Sequence, residues 1–193
     1  MTESILTVYW VKIAATLMVF GALMTLFIRQ SKKQAEGGGT GKLAVKSRIE
    51  KLCTEYTVLD DVVVPAKYGM IRIDHVVVSP YGVFVLTLVH EAGRVSGREG
   101  DDRWEIKSGT QKNILYNPLW ENRKWVNALE ACLGPYPYIQ AVVFTRARLK
   151  SDFGKQVMPL SRLPGFIKKY DKSVLFSDKR QAIIEKIKNL EGG

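Results

Sequence analysis

A run of apolar residues sets the first constraint. From Ile5 to Ile28 the chain carries a single charge, Lys12. As a helix, at about 1.5 Å per residue, these residues reach roughly 36 Å, enough to cross the hydrocarbon core of a bilayer with some tilt. Tyr9 and Trp10 stand where an interfacial aromatic belt belongs, and Lys12 can extend its stem towards the same interface. A cleaved signal peptide would instead place positive charge before the apolar run and a small-residue cleavage site after it. In this chain Glu3 precedes the run, and Arg29, Lys32 and Lys33 follow it. The expectation is a retained anchor: a short tail over residues 1–4, a transmembrane helix over 5–28, and a basic, Gly-rich linker over 29–41. The charge asymmetry places the N-terminus outside a single-pass inner (cytoplasmic) membrane and everything after Arg29 in the cytoplasm.

The linker reads "RQSKKQAEGGGTGK" through Lys42. Its end imitates a phosphate-binding loop and fails as one. The first glycine would fall at Glu36, Leu43 stands where Ser or Thr is needed, and no strand precedes it. A flexible tether is the better reading.

The net charge of +10 over 193 residues points to an anionic partner, either nucleic acid or a lipid surface. Cys53 and Cys132 have no metal-ligand spacing, and His75 and His90 are the only histidines. Both cysteines fall on apolar helical stripes and read as small buried thiols in a reducing compartment.

From Lys42 the pattern is helical, with Val45, Ile49, Leu52 and Cys53 on one face. "YTVLDDVVVP" reads as extended, followed by strands from Met70 to Ser79 and from Gly82 to Val89 about a turn at Ser79-Pro80-Tyr81-Gly82. "GRVSG" reads as a turn and "RWEIK" as a short strand. Asn117-Pro118 opens a helix with Leu119, Trp120, Trp125, Val126, Leu129 and Leu133 on its apolar face. "YIQAVVFT" has the composition of a central strand buried on both faces. A short helix at "LPGFIKKY", a last strand at "SVLF" and a final helix from Ser177 complete an α/β sandwich over 42–193.

The pieces "GKLAVKSRIEKL", "VLDDVVVP", "IDHVVVSPYGVFVL", "GRVSG" with Trp104 after it, and "NPLWENRKWVNAL" occur in that order from Gly41 to Phe144. In order and spacing this part of the chain resembles the nuclease-related domain family, within the restriction-endonuclease-like PD-(D/E)XK fold. The resemblance implies a mixed sheet flanked by helices. It also implies Mg²⁺-dependent phosphodiester hydrolysis by an Asp on one strand, a Glu-x-Lys pair on the next and a Glu on the first helix. Carboxylate oxygens suit a hard cation, and the lysine would stabilise transition-state charge. Asp74 matches the metal-binding Asp. Thr87 stands at the Glu position, Val89 at the Lys position, and Lys42 where the helix Glu is expected. Glu121 stands where a Gln is usual. Asp74 is therefore the one candidate metal ligand retained from the pattern, and Mg²⁺ is expected only if the site is active; otherwise no cofactor is expected. Glu105 and Lys107 form a Glu-x-Lys pair elsewhere, but Trp104 and Ile106 between them suggest a strand whose charged face meets water. Glu91, just past the strand, is a second relocated candidate. Asp74 itself has an alternative structural role, making a turn hydrogen bond or pairing with Arg72 or Arg94.

Three functions follow. The first is a membrane-anchored, catalytically inactive nuclease-related domain that binds nucleic acid or a protein complex on the cytoplasmic face. Lys46, Arg94, Arg98, Arg103, Lys107, Lys112, Arg123 and Lys124 are its candidate phosphate contacts. The second is a scaffold subunit of a membrane complex whose basic residues near the anchor meet the lipid bilayer. The third is an active nuclease with a migrated site.

Overall fold

A computed structural model describes residues 41–52 and 55–191. The expected tail, the apolar run, most of the linker and Cys53 lie outside the described residues. Among the described residues, no helix is long and apolar enough to cross a membrane.

The described residues open with helix α1 (41–50), which turns Gly41, Val45 and Ile49 inward. Strands β1 (Thr57–Ala66), β2 (Gly69–Ser79) and β3 (Gly82–Val89) form an antiparallel meander. The β2–β3 turn is the expected one. The Ser79 hydroxyl donates to the Gly82 carbonyl at 3.0 Å and accepts from the Tyr81 amide at 3.2 Å. Gly82 has a φ of 136°, and a side chain there would strike the Pro137 carbonyl.

β4 (Gly93–Ser96), β5 (Arg103–Ser108) and β6 (Gln111–Tyr116) follow. "GRVSG" is thus mostly strand rather than turn. Helix α2 (Pro118–Leu133) is capped by Asn117, whose side-chain oxygen accepts from the Leu119 amide at 3.0 Å. β7 (Tyr138–Phe144), β8 (Ala147–Leu149) and β9 (Val157–Pro159) lead to a 3-10 turn (Leu160–Arg162), helix α3 (Leu163–Ile167) and helix α4 (Ser177–Glu191). "SVLF" forms no strand; it only tucks Leu175 into the core and leaves Val174 and Phe176 exposed.

Two sheets result. The larger has the order β1-β2-β3-β7-β9, with β7 parallel to both β3 and β9. The smaller has the order β6-β5-β4-β8, with β8 parallel to β4. Every residue of β3 is buried, because helices cover both faces of the larger sheet. Val83 and Val85 meet Trp125 and Leu129 of α2 and Ile183 and Ile187 of α4. Phe84, Leu86 and Leu88 meet Val45 and Ile49 of α1 and Leu163 and Ile167 of α3. A third cluster joins Val95, Trp104 and Ile106 of the smaller sheet to Val89, Leu119 and Phe144. The architecture is the α/β type expected, with mixed sheets flanked by helices. Trp120 departs from its expected place: it lies on the exposed side of α2. Cys132 is only half-buried, with its Sγ 3.8 Å from the Pro65 carbonyl.

Candidate functional site

The site grows from an irregularity in β1 and β2. Side chains of a strand alternate between faces. Yet Leu59 and Val62, three residues apart, pack into the same core cluster, and so do Ile73 and Val76. Both strands therefore lose one step of their pleat between those residues. The cause is local: Asp61 has a φ of 54°, in the left-handed region that Asp tolerates better than most side chains. The ladder pairs Asp60 with His75 and Val62 with Ile73, and skips Asp61 opposite Asp74. Two carboxylates are thereby freed at one point of the sheet.

Helix α1 answers them with cations. Lys42 forms an ion pair with Asp61 and lies 3.7 Å from Asp74. One turn later, Lys46 bonds Asp60 at 2.9 Å, and that hydrogen bond and charge hold its pKa above the usual lysine value. The other oxygen of Asp60 lies 2.6 Å from Nδ1 of His75. The second oxygen of Asp74 accepts the Leu88 amide at 2.8 Å. Asp74 therefore does bind structurally, but its partners are Lys42 and the β3 backbone rather than Arg72 or Arg94. Arg72 instead approaches Asp61, at 3.9 Å.

The positions of the expected Glu-x-Lys pair are buried and uncharged. Thr87 shares its side of β3 with Val85, against α2, and is buried. The side-chain nitrogen of Asn122, itself fully buried, donates to the Thr87 hydroxyl at 3.0 Å and to the Val85 carbonyl at 2.8 Å. Val89 is sealed among Val95, Trp104 and Phe144.

Just beyond β3 lie His90 and Glu91. Nδ1 of His90 is 3.1 Å from the Thr145 hydroxyl, and the ring packs so closely on Gly41 that any larger residue there would displace it. Burial lowers the His90 pKa; Asp74 and Glu91 oppose that shift, and Lys42 and Arg146 add to it. The Glu121 carboxyl is pushed up by burial and then by Asp74, with Lys124 opposing and Glu91 adding. Asp74, Glu91, Glu121 and His90 thus share one electrostatic neighbourhood. Glu105 and Lys107 do not join it: they project from the smaller sheet into solvent, and Glu105 pairs with Lys112 at 3.2 Å. Among the described residues, no group of three or more His, Cys, Asp or Glu side chains is arranged to hold a metal ion.

Asp60, Asp61, His75 and Asn122 were not singled out by the sequence pattern. One signal was present. Two consecutive acids in an apolar strand must either point to opposite faces or break the pleat, and Asp60-Asp61 does the second.

His75 gives a pH prediction. Its ring is fully buried, Nε2 has no partner among the described residues, and burial lowers its pKa against the pull of Asp60. The unfolded chain therefore takes up the proton first. Stability is full above the ordinary imidazole value of 6.5 and falls as the pH drops below it. Urea midpoints measured between pH 7.5 and 5 should fall, and His75→Leu should flatten that slope.

The family model for the nuclease-related domain matches residues 37–145. An uncharacterized protein of Bacillus anthracis is 35% identical over 95 residues, which cover 48% of this chain and only 45% of that protein. No solved structure matches. The family match spans more than half of the sequence and contains α1, the β1–β3 meander, the smaller sheet's hairpins and α2; the chain belongs to the nuclease-related domain family.

Proposed function

We propose that this chain is a membrane-anchored, non-cleaving member of its family that binds nucleic acid at the cytoplasmic face. The observation that carries the silent-site reading is Lys42, whose ammonium sits between the carboxylates of Asp61 and Asp74. Mg²⁺ gives up its waters reluctantly and needs well-placed anionic oxygens. Two carboxylates that already share a lysine's charge are a poor match for it. The remaining positions of the pattern supply a threonine pinned by Asn122 and a valine in the core. The donor set therefore does not suit a divalent ion, and no hydrolytic step is assigned to it. The net charge of +10 supports an anionic partner, and the Ile5–Ile28 run supports the anchor.

The purified chain in detergent should leave plasmid, single-stranded DNA and RNA intact with Mg²⁺ or Mn²⁺. Metal-dependent cleavage that Asp74→Ala abolishes would overturn this reading. A relocated site has one observation in its favour, the shared neighbourhood of Asp74, Glu91, Glu121 and His90. Cleavage that Glu91→Ala or Glu121→Ala also abolishes would establish it.

A further inference from the structure

The smaller sheet has one covered face and one open face. Val95, Trp104 and Ile106 point into the core, so Arg94, Arg103, Glu105 and Lys107 point outward. The register sets Lys112 opposite Lys107, Lys107 opposite Arg94, and Arg94 opposite Arg148. Directly opposed residues share a face. Four exposed cations therefore form one row across all four strands, about 14 Å long at the usual strand spacing. Lys112 leans on Glu105. Among the described residues, Arg94, Lys107 and Arg148 have no ion-pair partner.

Like charges directly opposite one another destabilise a sheet. Here three such pairs adjoin, at outward positions where packing makes no demand for them. An anion laid along the row would turn this repulsion into attraction. Past the row, the same face of β6 carries Ile114, 65% exposed, and then Tyr116, 72% exposed and about 13 Å along the strand from Lys112. The Arg103 guanidinium lies 5.6 Å from the centre of the Tyr116 ring. A line of cations flanked by an open aromatic ring suits a strand whose phosphates follow the line and whose bases stack to one side. Bases in a duplex are already stacked and paired, so only unpaired bases can use Tyr116.

We propose that the open face of the β6-β5-β4-β8 sheet binds single-stranded nucleic acid, with phosphates along Lys112, Lys107, Arg94 and Arg148 and a base on Tyr116. This rests on the nucleic-acid reading above and places the contact away from the Asp74 site. An anionic bilayer would also be drawn to the row, but Glu105 and Ser96 lie between the cations and the edge of the face, and among the described residues Ile114 and Tyr116 are its only large apolar anchors.

The test uses the full chain in detergent micelles. Labelled oligo(dT), oligo(U) and a duplex of equal length are titrated at several salt concentrations, and flotation with phosphatidylglycerol vesicles runs in parallel. Both single strands should bind more tightly than the duplex. Arg94→Gln with Lys107→Gln should weaken oligo(dT) at least tenfold at low salt and reduce the log–log salt slope by about 1.4. Tyr116→Ala should cost about tenfold with little change in slope. Lys186→Gln with Lys188→Gln, exposed on α4, should change neither. The row variant should melt no lower than the parent, which separates lost binding from unfolding. Parent-like binding by the row and Tyr116 variants would overturn this surface while leaving the nucleic-acid reading in place. A parent that binds no oligonucleotide at low salt would remove both. Row-dependent binding to vesicles without binding to oligo(dT) would overturn the proposal in favour of a lipid surface.

Discussion

Placing in β3 the Glu-x-Lys pair that the resemblance implies, by Thr87→Glu with Val89→Lys, is expected to unfold the protein. Val89→Lys would place an ammonium among Val95, Trp104 and Phe144, at a position only 4% exposed. None of those neighbours can accept a hydrogen bond from it through its side chain, and an unpaired buried charge costs about 3–5 kcal/mol. Thr87→Glu adds a carboxylate where Asn122 now reaches both the threonine hydroxyl and the Val85 carbonyl. The extra length would push α2 away from β3. Against a typical stability of about 5–15 kcal/mol, the double variant should be largely unfolded at room temperature. Urea unfolding followed by tryptophan fluorescence measures this. A double variant with the parent's midpoint would mean that this side of β3 can open into a cleft, and the silent-site reading would lose its second support.

Lys42→Glu should have the opposite character: a variant weakened alone and rescued by metal. The substitution removes the ammonium between Asp61 and Asp74 and adds a third carboxylate beside them. Without a cation the three acids repel. Because the Lys42 and Asp74 side chains are about a quarter exposed, water softens the penalty to about 2 kcal/mol. Three convergent carboxylates are also a far better set for Mn²⁺ or Mg²⁺. At a metal concentration a hundredfold above Kd the variant should regain about 2.7 kcal/mol. Melting with EDTA and then with Mn²⁺ should separate the variant's two curves and leave the parent's unchanged. A Mn²⁺ shift in the parent equal to that in the variant would sink the idea that Lys42 takes the metal's place.

Where one residue type repeats at a regular period, the sequence was a good guide. The uncharged β3, the Ser79–Gly82 turn, the helix start at Asn117-Pro118 and the α2 stripe apart from Trp120 were legible, because each rests on local chemistry. The pairing of elements was less so. β6, β8 and β9 are short or carry exposed polar residues, and they become strands only because a neighbour supplies the ladder. "SVLF" has strand composition, but its Val174 and Leu175 amides donate to the Pro80 carbonyl of the β2–β3 turn rather than to a strand. Within the site, the strand positions of Asp74, Thr87 and Val89 and the helical position of Lys42 could be read from the sequence. The contact of Lys42 with Asp61 could not. It depends on a single positive φ that slips the pleat, and no periodicity argument anticipates a broken period.

The parallel pairings carry a consequence for the order of folding. β3 closes on β7, Val83 beside Tyr138, and β4 closes on β8, Gly93 beside Ala147. Each ladder must wait for a partner roughly a quarter of the chain away, and both partners arrive in the single stretch from Tyr138 to Leu149. Such distant closures are slow, because the loop entropy is lost before the contacts form. During synthesis β3 emerges uncharged and with one edge unmatched, and stays so until α2 and β7 follow it from the ribosome. That interval is when this chain is most exposed to aggregation, and β3 is the segment a chaperone would have to shield.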